Sequence, residues 1–136
     1  MKVFLDTKIL VATFATRGLC ADVVRLILAD HKLLVSPAVL EELARALRGK
    51  LHVPETTTQE VVAFLRASAS IVEASEAPPL DVRDPDDAVI LGQALANNAE
   101  VLVTGDKDLL DLAAMPRLRV LNPREFWQLA RKPSKP

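Results

Sequence analysis

A single cysteine, Cys20, stands in the 136-residue chain, so no disulfide can form within it and a reducing cytoplasm is the expected compartment. Tyrosine is absent, and four Phe and one Trp are too few for a base-stacking platform of the single-strand-binding kind. Neither sign of charge dominates: 18 acids against 17 bases give −1, which excludes nucleic-acid binding driven by a bulk basic excess. Long apolar runs are missing too. None approaches the length of a bilayer span, and Asp6 interrupts the stretch a signal peptide would need, so neither secretion nor membrane insertion is expected. What is present is an apolar half and a charged quarter, the balance of a folded globular protein. A chain of this size buries roughly two-thirds of its unfolded surface and forms a core without metal or disulfide staples. One domain is expected over residues 1–130, with 131–136 as a flexible tail.

Short apolar runs recur along the chain: Val3-Phe4-Leu5, Leu33-Leu34-Val35, Ile71-Val72, Val101-Leu102-Val103 and Leu118-Arg119-Val120-Leu121. Without polar alternation, they suit strands covered on both faces, as in a parallel sheet. Helical spacing lies between them. Val24, Leu26, Ile27 and Leu28 mark a helix over residues 21–29. Val39, Leu40, Leu43 and Leu47 mark another from Pro37, a residue that loses nothing in a first turn. Further helices are expected over 58–67, 86–97, 107–112 and 125–131, and Ala77-Pro78-Pro79 reads as a rigid connection. The alternation predicts a three-layer α/β domain with a mainly parallel central sheet.

Ligands of such sheets bind beyond the carboxyl ends of the strands, where strand order reverses. The polar residues just after each apolar run are therefore the informative ones. Asp6-Thr7 follows the first, and Ser36 then Glu41-Glu42 follow the second. The segment Asp81 to Asp87 comes after the third, and Thr104-Gly105-Asp106 after the fourth. Carboxylates gathered without His or Cys are hard oxygen ligands that suit Mg²⁺ or Mn²⁺ rather than zinc or copper. His31 and His52 lack metal-ligand spacing. Each acid also has a structural use. Asp84, Asp86 and Asp87 suit the cap and first turn of a helix carrying Pro85, and Asp106 and Asp108 suit the cap of the short helix after them. Of Glu41 and Glu42, the latter is the better site candidate, being one step from an apolar Leu43.

Four segments together resemble the PIN-domain family: Val3-Phe4-Leu5-Asp6-Thr7, Ser36-Pro37-Ala38-Val39-Leu40-Glu41-Glu42-Leu43, Asp84-Pro85-Asp86-Asp87, and Val101-Leu102-Val103-Thr104-Gly105-Asp106-Lys107-Asp108-Leu109-Leu110. The resemblance is nearest to the VapC-like toxins of bacterial toxin–antitoxin pairs. It implies a PIN-like α/β/α fold and a ribonuclease dependent on Mg²⁺ or Mn²⁺. It carries the catalytic and metal-holding roles to Asp6, Glu42, Asp87 and Asp106, with Asp84, Asp108 and Thr104 in support. RNA as substrate and an antitoxin protein as partner are implied as well. Such toxins often pair as homodimers, which the apolar helices here allow.

The chain departs from that family at Lys8, where the usual Asp-Thr-Asn reads Asp6-Thr7-Lys8. Either the long stem carries this ammonium to solvent, or it enters the carboxylate cluster and replaces part of a cation's charge. In the active reading, metal-activated water hydrolyses an RNA phosphodiester, while Arg17, Arg45, Arg48 and Lys50 guide the backbone. In the competing reading, Lys8 makes the domain a catalytically weak scaffold that binds an antitoxin or RNA. A phosphoryl-accepting receiver domain would want an acid pair after the first strand and an acceptor Asp after the third. The chain has a single Asp6 and then Glu73-Ala74-Ser75.

Overall fold

A computed structural model describes residues 1–15, 18–72, 85–111 and 117–131, the side chains of 85 and 86 excepted. Five strands lie in one sheet: β1 (Lys2–Leu5), β2 (Lys32–Val35), β3 (Ser70–Ile71), β4 (Val101–Val103) and β5 (Arg119–Leu121). Their order is β3-β2-β1-β4-β5, and every pairing is parallel. Val3 sits opposite Leu33 on one side and Val101 on the other. The central runs are apolar throughout because both faces are covered: Val3, Phe4, Leu5, Leu33, Leu34, Val35 and Val101 to Val103 are all buried.

The helices are α1 (Thr7–Ala15), α2 (Leu19–Asp30), α3 (Pro37–Gly49), α4 (Glu55–Ser68), α5 (Pro85–Ala96), α6 (Lys107–Leu110) and α7 (Pro123–Arg131). The connections from β1 to β3 step one way across the sheet, and those from β3 to β5 step the other way. Right-handed crossovers then place their helices on opposite faces, which gives a three-layer α/β/α fold. Strand order reverses beside β1, so the crevice opens at the carboxyl ends of β1 and β4. No helix among the described residues is long and apolar enough to cross a membrane.

Local chemistry explains the element ends near that crevice. Ser36 caps α3, its Oγ accepting from the Val39 N–H at 3.2 Å, and Pro37 fills the first turn. The chain leaves α5 through Asn98 at φ 57°, and the Ala99 N–H donates back to the Ala94 carbonyl at 2.9 Å before β4 begins. Helix α1 follows Asp6 directly, the Ile9 N–H bonding to the Asp6 carbonyl at 3.0 Å.

Helices α2 and α7 each begin two residues before the expected start, and three elements differ more. Helix α1 was not expected, because Ile9-Leu10-Val11-Ala12 is a consecutive apolar run without the three- and four-residue spacing that marks the other helices. Helix α4 begins at Glu55 rather than Thr58, immediately after Pro54. Strand β3 is Ser70–Ile71, with Ile71 exposed, and Val72 beyond it is buried and bonds to the Val35 carbonyl. The Ala77-Pro78-Pro79 connection, Asp81 and the tail beyond Arg131 lie outside the described residues.

Candidate active site

The carboxyl edge of the sheet opens into a cleft of about 680 Å³. Four acids from four parts of the chain line it: Asp6 at the end of β1, Glu42 on α3, Asp87 on α5 and Asp106 after β4. Helical spacing aims each wall. On α3, Glu42, Arg45, Ala46 and Gly49 recur at three- and four-residue steps and end at Lys50, while Leu43 and Leu47 turn to the core. On α1, Lys8 and Val11 share the cleft face. On α5, Asp87 and Ile90 do the same.

Thr104 ties two of the acids together from behind. It is wholly buried; its Oγ1 donates to Asp6 Oδ2 at 2.8 Å and accepts from the Asp106 N–H at 3.0 Å. Asp6 itself is 5% exposed, so this hydroxyl is what a buried carboxyl at a strand end requires. Asp106 also caps α6, its Oδ1 accepting from the Asp108 N–H at 2.8 Å. A capping role and a place in the cleft therefore coexist in one side chain.

The Asp106 carboxyl is held below its ordinary pKa. Desolvation pushes it up, but the hydrogen bond with Asp87, the N–H groups of Asp108 and Leu109 and the charge of Lys8 together outweigh that. Two carboxyls that interact directly, beside a third buried one, are a set of hard oxygen donors suited to a hard divalent ion. Among the described residues no three such groups stand close enough to enclose an ion, so the acids would have to draw together around one. The donor chemistry fits Mg²⁺ or Mn²⁺, and nothing in it favours zinc.

The other candidates fall as follows. Glu41 points away from this cleft and lines a second groove between α3 and α4. Asp108 is exposed and contributes its backbone N–H. Lys8 is exposed at the cleft rim, close enough for its charge to act on Asp106. Asp84 and Arg17 lie outside the described residues. Sequence reasoning placed Thr104 in the pocket but not its bridging of Asp6 to the Asp106 backbone. It also missed the apolar wall of Val11 and Ile90. The signal for that wall was there, since both follow cleft residues by three positions on helices.

A doubly wound parallel sheet with an acidic cleft at its switch point defines the class. A PIN domain family profile matches residues 2–108, and the chain belongs to the PIN-domain family. Solved structures agree on the fold. VapBC2 from Rickettsia felis, bound to a DNA fragment from its promoter, contains a chain 20% identical, with a TM-score of 0.64 over 90% of this chain and 98% of that one. A toxin–antitoxin complex from Klebsiella pneumoniae gives 22% identity and a TM-score of 0.63 over 89% and 97%. DNA-bound VapBC from Salmonella typhimurium gives 16% and 0.62 over 90% and 98%. No curated protein matches.

Proposed function

We propose that this PIN-domain protein is a metal-dependent ribonuclease acting as the cytoplasmic toxin of a toxin–antitoxin pair. The observation that carries the reading is the meeting of Asp6, Glu42, Asp87 and Asp106 around one cleft at the strand carboxyl edge. Structural similarity to toxin–antitoxin proteins supports an antitoxin as partner. RNA is the substrate in this reading, and homodimer formation is part of it.

Asp6, Asp87 and Asp106 would hold a Mg²⁺ or Mn²⁺ ion, with Glu42 facing them from α3. When bound, that ion supplies the Lewis acidity that lowers the pKa of water and offsets charge on the phosphodiester oxygens. The chain's own residues do the rest. Thr104 holds one oxygen of Asp6 and the Asp108 N–H holds one oxygen of Asp106, which restricts how far either carboxyl can turn as an ion is taken up. Glu42, half-buried on the opposite wall, orients the attacking water and takes its proton. Arg45 and Lys50 beside it contact phosphate.

Lys8 supports a second reading, a weak catalyst that binds RNA or antitoxin, because its ammonium already acts on Asp106. The test is incubation of labelled mixed-sequence single-stranded RNA with Mn²⁺ or Mg²⁺, with chelator, and with Asp106→Asn protein. Cleavage lost in both controls supports the nuclease. Binding without cleavage in any metal supports the scaffold.

A further inference from the structure

Helices α3 and α4 pack together and leave a groove of about 540 Å³ between them. Spacing builds it from both sides: Glu41, Ala44, Arg45 and Arg48 on α3 face Gln59, Val62, Ala63 and Arg66 on α4. Each row follows the three- and four-residue steps of a single helical face. Arg45 lines this groove and the acidic cleft as well, so the two surfaces are continuous through one guanidinium.

Charge distinguishes the groove from the rest of the molecule. The whole chain carries −1, yet three arginines and one acid, Glu41, line this surface. Arg48 is held by Glu55 through two contacts at 2.5 and 2.8 Å. Among the described residues, Arg45 and Arg66 make no ion pair, and both are exposed. A cationic groove leading out of a phosphodiester-cleaving cleft matches an extended polyanion, because a strand whose scissile phosphate sits at the acids must continue across a neighbouring surface.

Building on the ribonuclease reading, we propose that the α3–α4 groove holds the backbone of single-stranded RNA flanking the cleavage point, with Arg45 and Arg66 contacting successive phosphates and Val62 and Ala63 lying under the bases. Binding through it is independent of sequence, since phosphate contacts position a strand without specifying it. It also makes affinity depend on strand length, because a short oligonucleotide fills the cleft without reaching Arg66.

The test is a fluorescence-anisotropy titration of 4- and 12-nucleotide mixed-sequence RNAs with chelator present to stop cleavage, on wild type, Arg66→Gln and Arg66→Lys at several salt concentrations. Wild type prefers the longer strand. Arg66→Gln erases at least about threefold of that preference and lowers the salt slope for the 12-mer by about 0.7, the value of one phosphate contact on single-stranded nucleic acid. Arg66→Lys restores most of both. A 12-mer preference unchanged in Arg66→Gln overturns the groove assignment and leaves the ribonuclease reading standing. Wild type that binds neither RNA overturns both. If Arg66→Gln instead weakens only a synthetic Glu- and Leu-rich helical peptide, the groove takes an acidic partner and the proposal is overturned.

Discussion

Replacing Thr104 by valine removes one hydroxyl and keeps the shape of the side chain. That hydroxyl is fully buried and donates to Asp6 Oδ2 at 2.8 Å. A hydrogen bond to a charged group contributes about 1.5–3 kcal/mol, and leaving the 5%-exposed Asp6 without it forfeits that contribution. The Asp106 N–H loses its acceptor as well, but Asp106 is partly exposed and water replaces most of that bond. The expected loss is thus about 2 kcal/mol. Unfolding entropy of about 2.1 cal/mol/K per residue gives about 290 cal/mol/K for 136 residues, so each kcal/mol moves Tm by about 3.5 °C. Thr104→Val should therefore melt about 7 °C below wild type by circular dichroism in chelator. Thr104→Ser keeps the donor and should recover most of the difference. With Asp6→Asn in the background, the valine change should cost about 1 kcal/mol less, because the acceptor is then neutral. A Thr104→Val protein within about 2 °C of wild type would refute the idea that this bond holds Asp6 in place.

Three other outcomes are expected. In metal-free buffer, Asp87→Asn should melt at or above the wild-type temperature, since it relieves a carboxyl pair; unfolding of that variant would make the acid a structural element instead. Lys8→Asn should tighten Mn²⁺ about three- to tenfold, because an ammonium about 5 Å from a divalent ion repels it by roughly 2 kcal/mol at water's dielectric, and screening at the rim trims this. Equal affinities would return Lys8 to the bulk surface. The pKa of His31 lies below its ordinary 6.5 because burial disfavours its charged form and the N-terminal ammonium adds repulsion. The unfolded chain then binds the extra proton first, so stability is present above pH 6.5 and declines as pH falls below it. His31→Gln should flatten that decline in melts between about pH 6.5 and 5.5, and an unchanged slope would remove His31 from the account.

The sheet was legible because its central strands, β1, β2 and β4, are buried on both faces and so read as unbroken apolar runs. From that topology, residues following the runs had to lie at one edge, which is why Asp6 and Asp106 could be named as neighbours across a hundred positions. Helix α1 was hidden by the same signal, since Ile9-Leu10-Val11-Ala12 is a short unbroken apolar run that resembles a buried strand more than an amphipathic helix. The edge strand β3 spans two residues and exposes Ile71, too little pattern to fix its register. Asp87 could not be separated from helix-capping use by sequence, because first-turn acids serve a cap and a cation equally well. The continuity of the cleft with the α3–α4 groove was invisible for a different reason. It depends on Arg45 lying between two helical faces, and periodicity assigns a residue to one face only.

The central claim is that Asp87 and Asp106, in hydrogen-bonded contact beside Asp6, form the heart of one divalent-cation site. Calorimetric titration of Mn²⁺ into wild type, Asp87→Asn and Asp106→Asn tests this without reference to any activity. Wild type should bind Mn²⁺ saturably, and each variant should lose at least about tenfold, a difference of about 1.4 kcal/mol or more. Equal affinity in all three proteins, or no binding by wild type, would contradict it.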